Sequence, residues 1–241
     1  MTTAAGHDIS QLDISEQELD RLVGEMVRHV IFKTQQTSGC PIKRDELTQL
    51  VSKHYSQRSL PTVVINKTIE KLSNVFGYEM KELQRSRSKP NQGRTSQQGS
   101  TDAKSYILTS KLNDEVYKKY VADESQSHLT GLTFVIVGIV SLAGGKISED
   151  NLWHHLRQLE LSQTEENHPV FGNTKQFLET LVQQRFLMKE KVNGPEGSSL
   201  FYELAERSLD VSVSQRIKDH IAQIVQREVP TPDGNNDDDE E

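Results

Sequence analysis

The sequence predicts an α+β protein, mainly helical with small β-hairpins, and three observations carry that expectation. In residues 72–83 a helical pattern passes into a strand pattern with no loop between them. Ile65, Ile69, Leu72 and Phe76 fall four, three and four apart, one helical face. From Tyr78 the side chains alternate, with Tyr78, Met80 and Glu82 on one side and Glu79, Lys81 and Leu83 on the other. Second, Gly77 stands at the junction, where a left-handed residue commonly ends a helix. Third, the pattern occurs twice. Ile42 and Leu47 match Ile147 and Leu152, and Leu72 with Tyr78 matches Leu181 with Leu187. One supersecondary unit used twice accounts for this, and helix, tight stop, strand is how a winged helix enters its wing. The prediction is two tandem winged-helix domains.

Taken in order, residues 1–14 lack a core pattern and read as a flexible N-terminus. Ser15-Glu16-Gln17-Glu18 is a capping box. It opens a helix with Leu19, Leu22, Val23, Met26, Val27, Val30 and Ile31 on one stripe, ending near Gln35. A second helix turns Leu47, Leu50, Val51 and Tyr55 inward, and Pro61 suits the first turn of a third. Residues 85–104 dissolve into Ser, Gln, Gly, Arg and Lys, a long basic wing insert at 86–103 before a strand over 105–109. The first domain therefore covers 15–110.

Residues 111–129 form a linker with a short helix over 114–121. The second domain, 130–228, begins with residues 132–143, whose length and Gly144-Gly145 stop predict a helix apolar nearly all round. Ser148 caps a helix that buries Leu152, Leu156 and Leu159 with Trp153 at its edge, and residues 173–184 form the next. Residues 186–192 and 200–204 are hairpin strands, and a last helix lines up Val213, Ile217, Ile221 and Ile224. Residues 229–241 read as an acidic, disordered tail.

The net charge of −7 is concentrated at the ends. Asp8, Asp13, Glu16, Glu18 and Asp20 lead the chain, and Asp233, Asp237, Asp238, Asp239, Glu240 and Glu241 close it. Without these eleven carboxylates, residues 21–232 stand at +4, a mildly basic body able to touch nucleic acid. One cysteine, Cys40, leaves no internal disulfide and suggests a reducing compartment. The apolar run 132–143 is shorter than the roughly 20 residues of a membrane span, and residues 1–20 carry no signal-peptide pattern.

No catalytic set is read. His154-His155 and the scattered His29, His54, His168 and His220 lack ligand spacing for a metal, Cys40 has no evident His partner, and Gly144-Gly145 lacks the P-loop lysine and serine. Lys175, Arg185, Lys189 and Lys191 gather on the third helix and wing of the second domain, with Lys146 and Arg157 near them. That set predicts salt-dependent contact with a duplex backbone and little base reading.

Residues 75–83, the segment Pro41-Ile42-Lys43-Arg44-Asp45-Glu46-Leu47, and Gly131 through Ala143-Gly144 followed by Ser148-Glu149-Asp150-Asn151-Leu152-Trp153 resemble the MAGE homology domain over about 16–226. Within that family the chain is most similar to the branch that serves the SMC five–six chromosome maintenance complex. The resemblance implies a nuclear, chromatin-associated adaptor without cofactor or activity of its own. Its implied partners are a RING-type ubiquitin ligase subunit (non-SMC element one), whose activity such a subunit can stimulate, a kleisin subunit (non-SMC element four), the SMC heterodimer and double-stranded DNA. It implies no membrane contact. In many relatives a leucine pair in the first helix meets the RING partner, and Val30, Ile31 and Phe32 stand there, apolar but not leucine. A kleisin groove in the second domain would draw on Phe134, Val137, Val140, Leu156, Phe177 and Leu181, an apolar trough for an amphipathic partner helix. The alternative is a free-standing winged-helix transcriptional regulator.

Overall fold

The computed structural model describes residues 14–83, 104–194 and 197–227. The expectations for residues 1–13, the insert 86–103 and the tail 229–241 lie outside them.

Helix α1 (Glu16–Gln36) starts where Ser15 accepts a hydrogen bond from the Glu18 amide at 3.2 Å, and its stripe from Leu19 to Val30 is buried. Strand β1 (Ile42–Lys43), helices α2 (Arg44–Ser52) and α3 (Leu60–Asn74), and strands β2 (Tyr78–Leu83) and β3 (Ser105–Ser110) follow. The three strands form an antiparallel sheet ordered β1-β3-β2. α3 packs Leu60, Val64, Ile65 and Leu72 against α1 and the sheet.

α3 stops two residues earlier than the spacing suggests. Gly77 turns the chain at φ +66, so Phe76 leaves the helical face and is 47% exposed. Burial along β2 also departs from strict alternation. Met80 enters the first core, whereas Leu83 is covered on the other side of the sheet.

Helix α4 (Asp114–Tyr120), capped by Asn113, carries no buried residue and leads through a 3-10 turn into α5 (Ser127–Leu142). The second half repeats the order of the first: β4 (Lys146–Ser148), α6 (Glu149–Gln158), α7 (Thr174–Gln183), β5 (Leu187–Gly194) and β6 (Gly197–Leu204), with the sheet ordered β4-β6-β5. Helix α8 (Val211–Arg227) lies against α5, where Ile221 meets Gly138. The 124–142 stretch matches a membrane span in length and composition, but Leu132, Ile136 and Val140 pack into the second core. Two sequence expectations reverse in α6: Leu159 is the exposed C-cap and Trp153 is 4% exposed, inside the core.

The halves share a feature that the sequence reading missed. Ile42 pairs with Tyr106 and Ile147 with Tyr202, so each middle strand sets a buried tyrosine opposite the apolar residue before the second helix. Burial pushes both phenols above the ordinary tyrosine range.

Candidate partner-binding groove and basic surface

Between the halves runs an open groove of about 1080 Å³. One wall is the outer face of the first sheet, including Leu83, Ile107 and Thr109. The other comes from α5 (Phe134, Val137), α7 (Phe177) and α8 (Val213, Ile217). Leu83, Ile107, Val137 and Ile217 are buried yet belong to neither core, so this seam holds a third buried apolar patch.

Polar contacts hold the walls in place. Gln184 Nε2 donates to the Ser38 carbonyl at 2.7 Å, Arg207 Nη1 to the Gly39 carbonyl at 3.1 Å, and Lys81 pairs with Asp210 at 3.5 Å. Arg216 on α8 pairs with Asp114 on α4 at 2.9 Å.

The six side chains assigned to a partner groove divide. Phe134, Val137 and Phe177 line it. Val140, Leu156 and Leu181 do not; each is 0% exposed in the second core, and a side chain enclosed on all sides offers a partner no surface. On α1, Val30 is likewise a core residue at 1% exposure, Ile31 packs at the core margin, and Phe32 stands out at 61%.

The basic set divides for a different reason. Arg185, at φ +63, makes a two-point contact with Glu206, at 2.9 and 2.7 Å. Lys189 bonds Glu179 beneath the Tyr202 ring, and Lys146 bonds Glu190 beside Phe201. These hydrogen bonds hold both lysines above the ordinary ammonium range. Three of the six cations are thus already paired. Lys175, Arg157 and Lys191 are exposed and hold no ion pair among the described residues. In the first half Lys104 pairs with Glu82 at 2.9 Å.

Among the described residues no group of three or more His, Cys, Asp or Glu side chains could hold a metal ion. The His154 and His155 rings meet edge to face, 5.7 Å apart. Burial pushes the Cys40 thiol up, away from the thiolate that nucleophilic chemistry requires.

A duplicated helix-and-hairpin body with an apolar groove between its halves defines the class, a two-lobed α+β fold. Residues 26–211 match the MAGE homology domain, and the chain belongs to that family. It is 26% identical over 191 residues to the mouse non-structural maintenance of chromosomes element 3 homolog, covering 79% of this chain and 60% of that protein. For the human homolog the figures are 26% over 179 residues, 74% and 52%. Human melanoma-associated antigen F1 is 29% identical over 190 residues, 75% of this chain and 53% of its own. The chain thus spans little more than half of these relatives. A chain of a solved Nse1-Nse3-Nse4 complex superimposes with a TM-score of 0.73 at 24% identity, covering 88% of this chain and 93% of that one, so the two share a fold.

Proposed function

We propose that this chain is the MAGE-type subunit of an SMC five–six chromosome maintenance complex, a non-catalytic adaptor of two tandem winged helices joined by the 111–129 linker. It joins a RING-type ubiquitin ligase subunit to a kleisin subunit, stimulates that ligase, helps the SMC heterodimer hold double-stranded DNA, and acts on chromatin in the nucleus. The single observation that carries the reading is the apolar groove between the two halves, in a chain whose relatives include element 3 homologs. A kleisin helix seats its apolar face on the half-buried Phe134 and Phe177, with Val137 packed behind them, and Ile31 with Phe32 offers the RING contact on α1. Lys175, Lys191 and Arg157 supply the phosphate contacts.

Co-expression with candidate RING and kleisin subunits tests this. The expected outcome is a single co-eluting ternary complex at micromolar concentration in size-exclusion chromatography. A chain that elutes alone from that mixture removes the adaptor reading. A steep preference for one duplex sequence over random duplexes would favour the free-standing regulator instead.

A further inference from the structure

Arg207 lines the groove, and among the described residues no carboxylate pairs with it. The segment 205–208 is stitched along the end of α7's following turn. The Ala205 amide donates to the Phe186 carbonyl at 3.0 Å, the Arg207 amide to the Arg185 carbonyl at 3.1 Å, and Ser208 Oγ to the Phe186 carbonyl at 2.7 Å. That stitching fixes the Arg207 backbone. Its guanidinium lies over the Phe186 ring at 4.5 Å, and Nη1 donates to the Gly39 carbonyl. A guanidinium offers five donors in a rigid fork, and a carbonyl and a ring face leave most of them unused.

The nearby groove carboxylates are engaged elsewhere. Glu206 gives both oxygens to Arg185. Asp210 accepts from Ser212 N and Oγ with one oxygen and pairs with Lys81 through the other. Burial pushes the Arg207 pKa down, opposed by Cys40 beside it, whose own thiol burial pushes up and so favours in its neutral form.

We propose that Arg207 is the polar anchor of the groove, clamping an Asp or Glu carboxylate carried by the apolar partner helix that lies between the two halves. This rests on the kleisin reading above and adds what that reading lacks, a required charge on the partner. The carboxylate completes the guanidinium fork inside a low-dielectric trough, where charge-assisted two-point bonds are strongest. It also sets the helix register along Phe134 and Phe177, which apolar contact alone leaves free to slide.

The test uses the full chain with its RING subunit, titrated with the kleisin subunit at low and high salt. Arg207→Gln is expected to weaken kleisin binding about tenfold or more and to flatten its salt dependence. Gln184→Ala, which loses the neighbouring cross-module bond but no charge, should leave the salt dependence as it was. Arg207→Glu should bind a kleisin in which one groove-facing Asp or Glu is replaced by Lys better than it binds the unaltered kleisin. Thermal melts of each variant separate misfolding from lost contact, and the charge swap, read within one variant, stands even if the melt falls. Arg207→Gln binding with unaltered affinity, or losing affinity only as Gln184→Ala does, overturns the anchor and leaves the adaptor intact. Wild-type chain that fails to bind kleisin removes both.

Discussion

Lys189 shows how a residue chosen for its charge can serve the fold instead. It joins α7 through Glu179 to the face of Tyr202, whose hydroxyl bonds Glu149 at the start of α6. Lys189→Glu therefore sets two carboxylates together and strips the cation from the ring, and it should cost the second half about 1–2 kcal/mol in urea unfolding. Lys175→Glu and Lys191→Glu reach only solvent. Each should leave the melt unchanged while lowering the salt slope of duplex binding by the assembled trimer by about one; an unchanged slope removes these residues from the DNA surface. The same division runs along α1. Val30→Ala opens a cavity in the first core and should cost about 2 kcal/mol. Phe32→Asp, on an exposed side chain, should leave stability within about 0.5 kcal/mol and weaken RING association in a pull-down.

At the scale of elements, glycine gives two opposite expectations from one substitution. Gly24 sits inside α1 with no atom within 4 Å of an added Cβ, so Gly24→Ala should stabilise by about 0.5–1 kcal/mol. Gly77 is equally uncrowded but stands at φ +66 between α3 and β2, so Gly77→Ala should destabilise by about 1 kcal/mol. Equal shifts in the two melts would refute the conformational argument. Helix caps, glycine stops and apolar stripes were legible for the same local reason, since each depends on neighbours within a few positions in the chain. What covers a stripe was not. Periodicity marks Val30, Leu156 and Leu181 as one-sided, and only the assembled fold shows that the chain's own core takes that side. The partners of the basic residues were hidden for the same reason: Lys146 and Glu190 lie 44 residues apart, Arg185 and Glu206 lie 21 apart. Arg207 gave no signal, because its setting depends on Phe186, Gly39 and two carboxylates that the described structure binds to other residues.

At the scale of the molecule, the groove exists because two halves with separate cores are held a fixed distance apart, and part of that hold is ionic. Asp210 caps the first turn of α8 through Ser212 and reaches across to Lys81 on the first sheet. The Ser212 hydrogen bonds, and after them the Lys81 charge, hold its carboxyl below the usual range. A carboxyl depressed in the folded state contributes stability that is fully present above its unfolded pKa of about 4 and is lost as pH falls through the lower folded value. Wild type should therefore exceed Asp210→Asn in melting temperature by a constant margin from neutral pH down to about pH 5. The margin should then shrink toward zero as the solution is acidified further. Small-angle scattering over the same range should show the halves separating earlier in the variant. A margin that persists unchanged into strong acid, or widens there, would mean that Asp210 holds neither the start of α8 nor the first sheet by its charge.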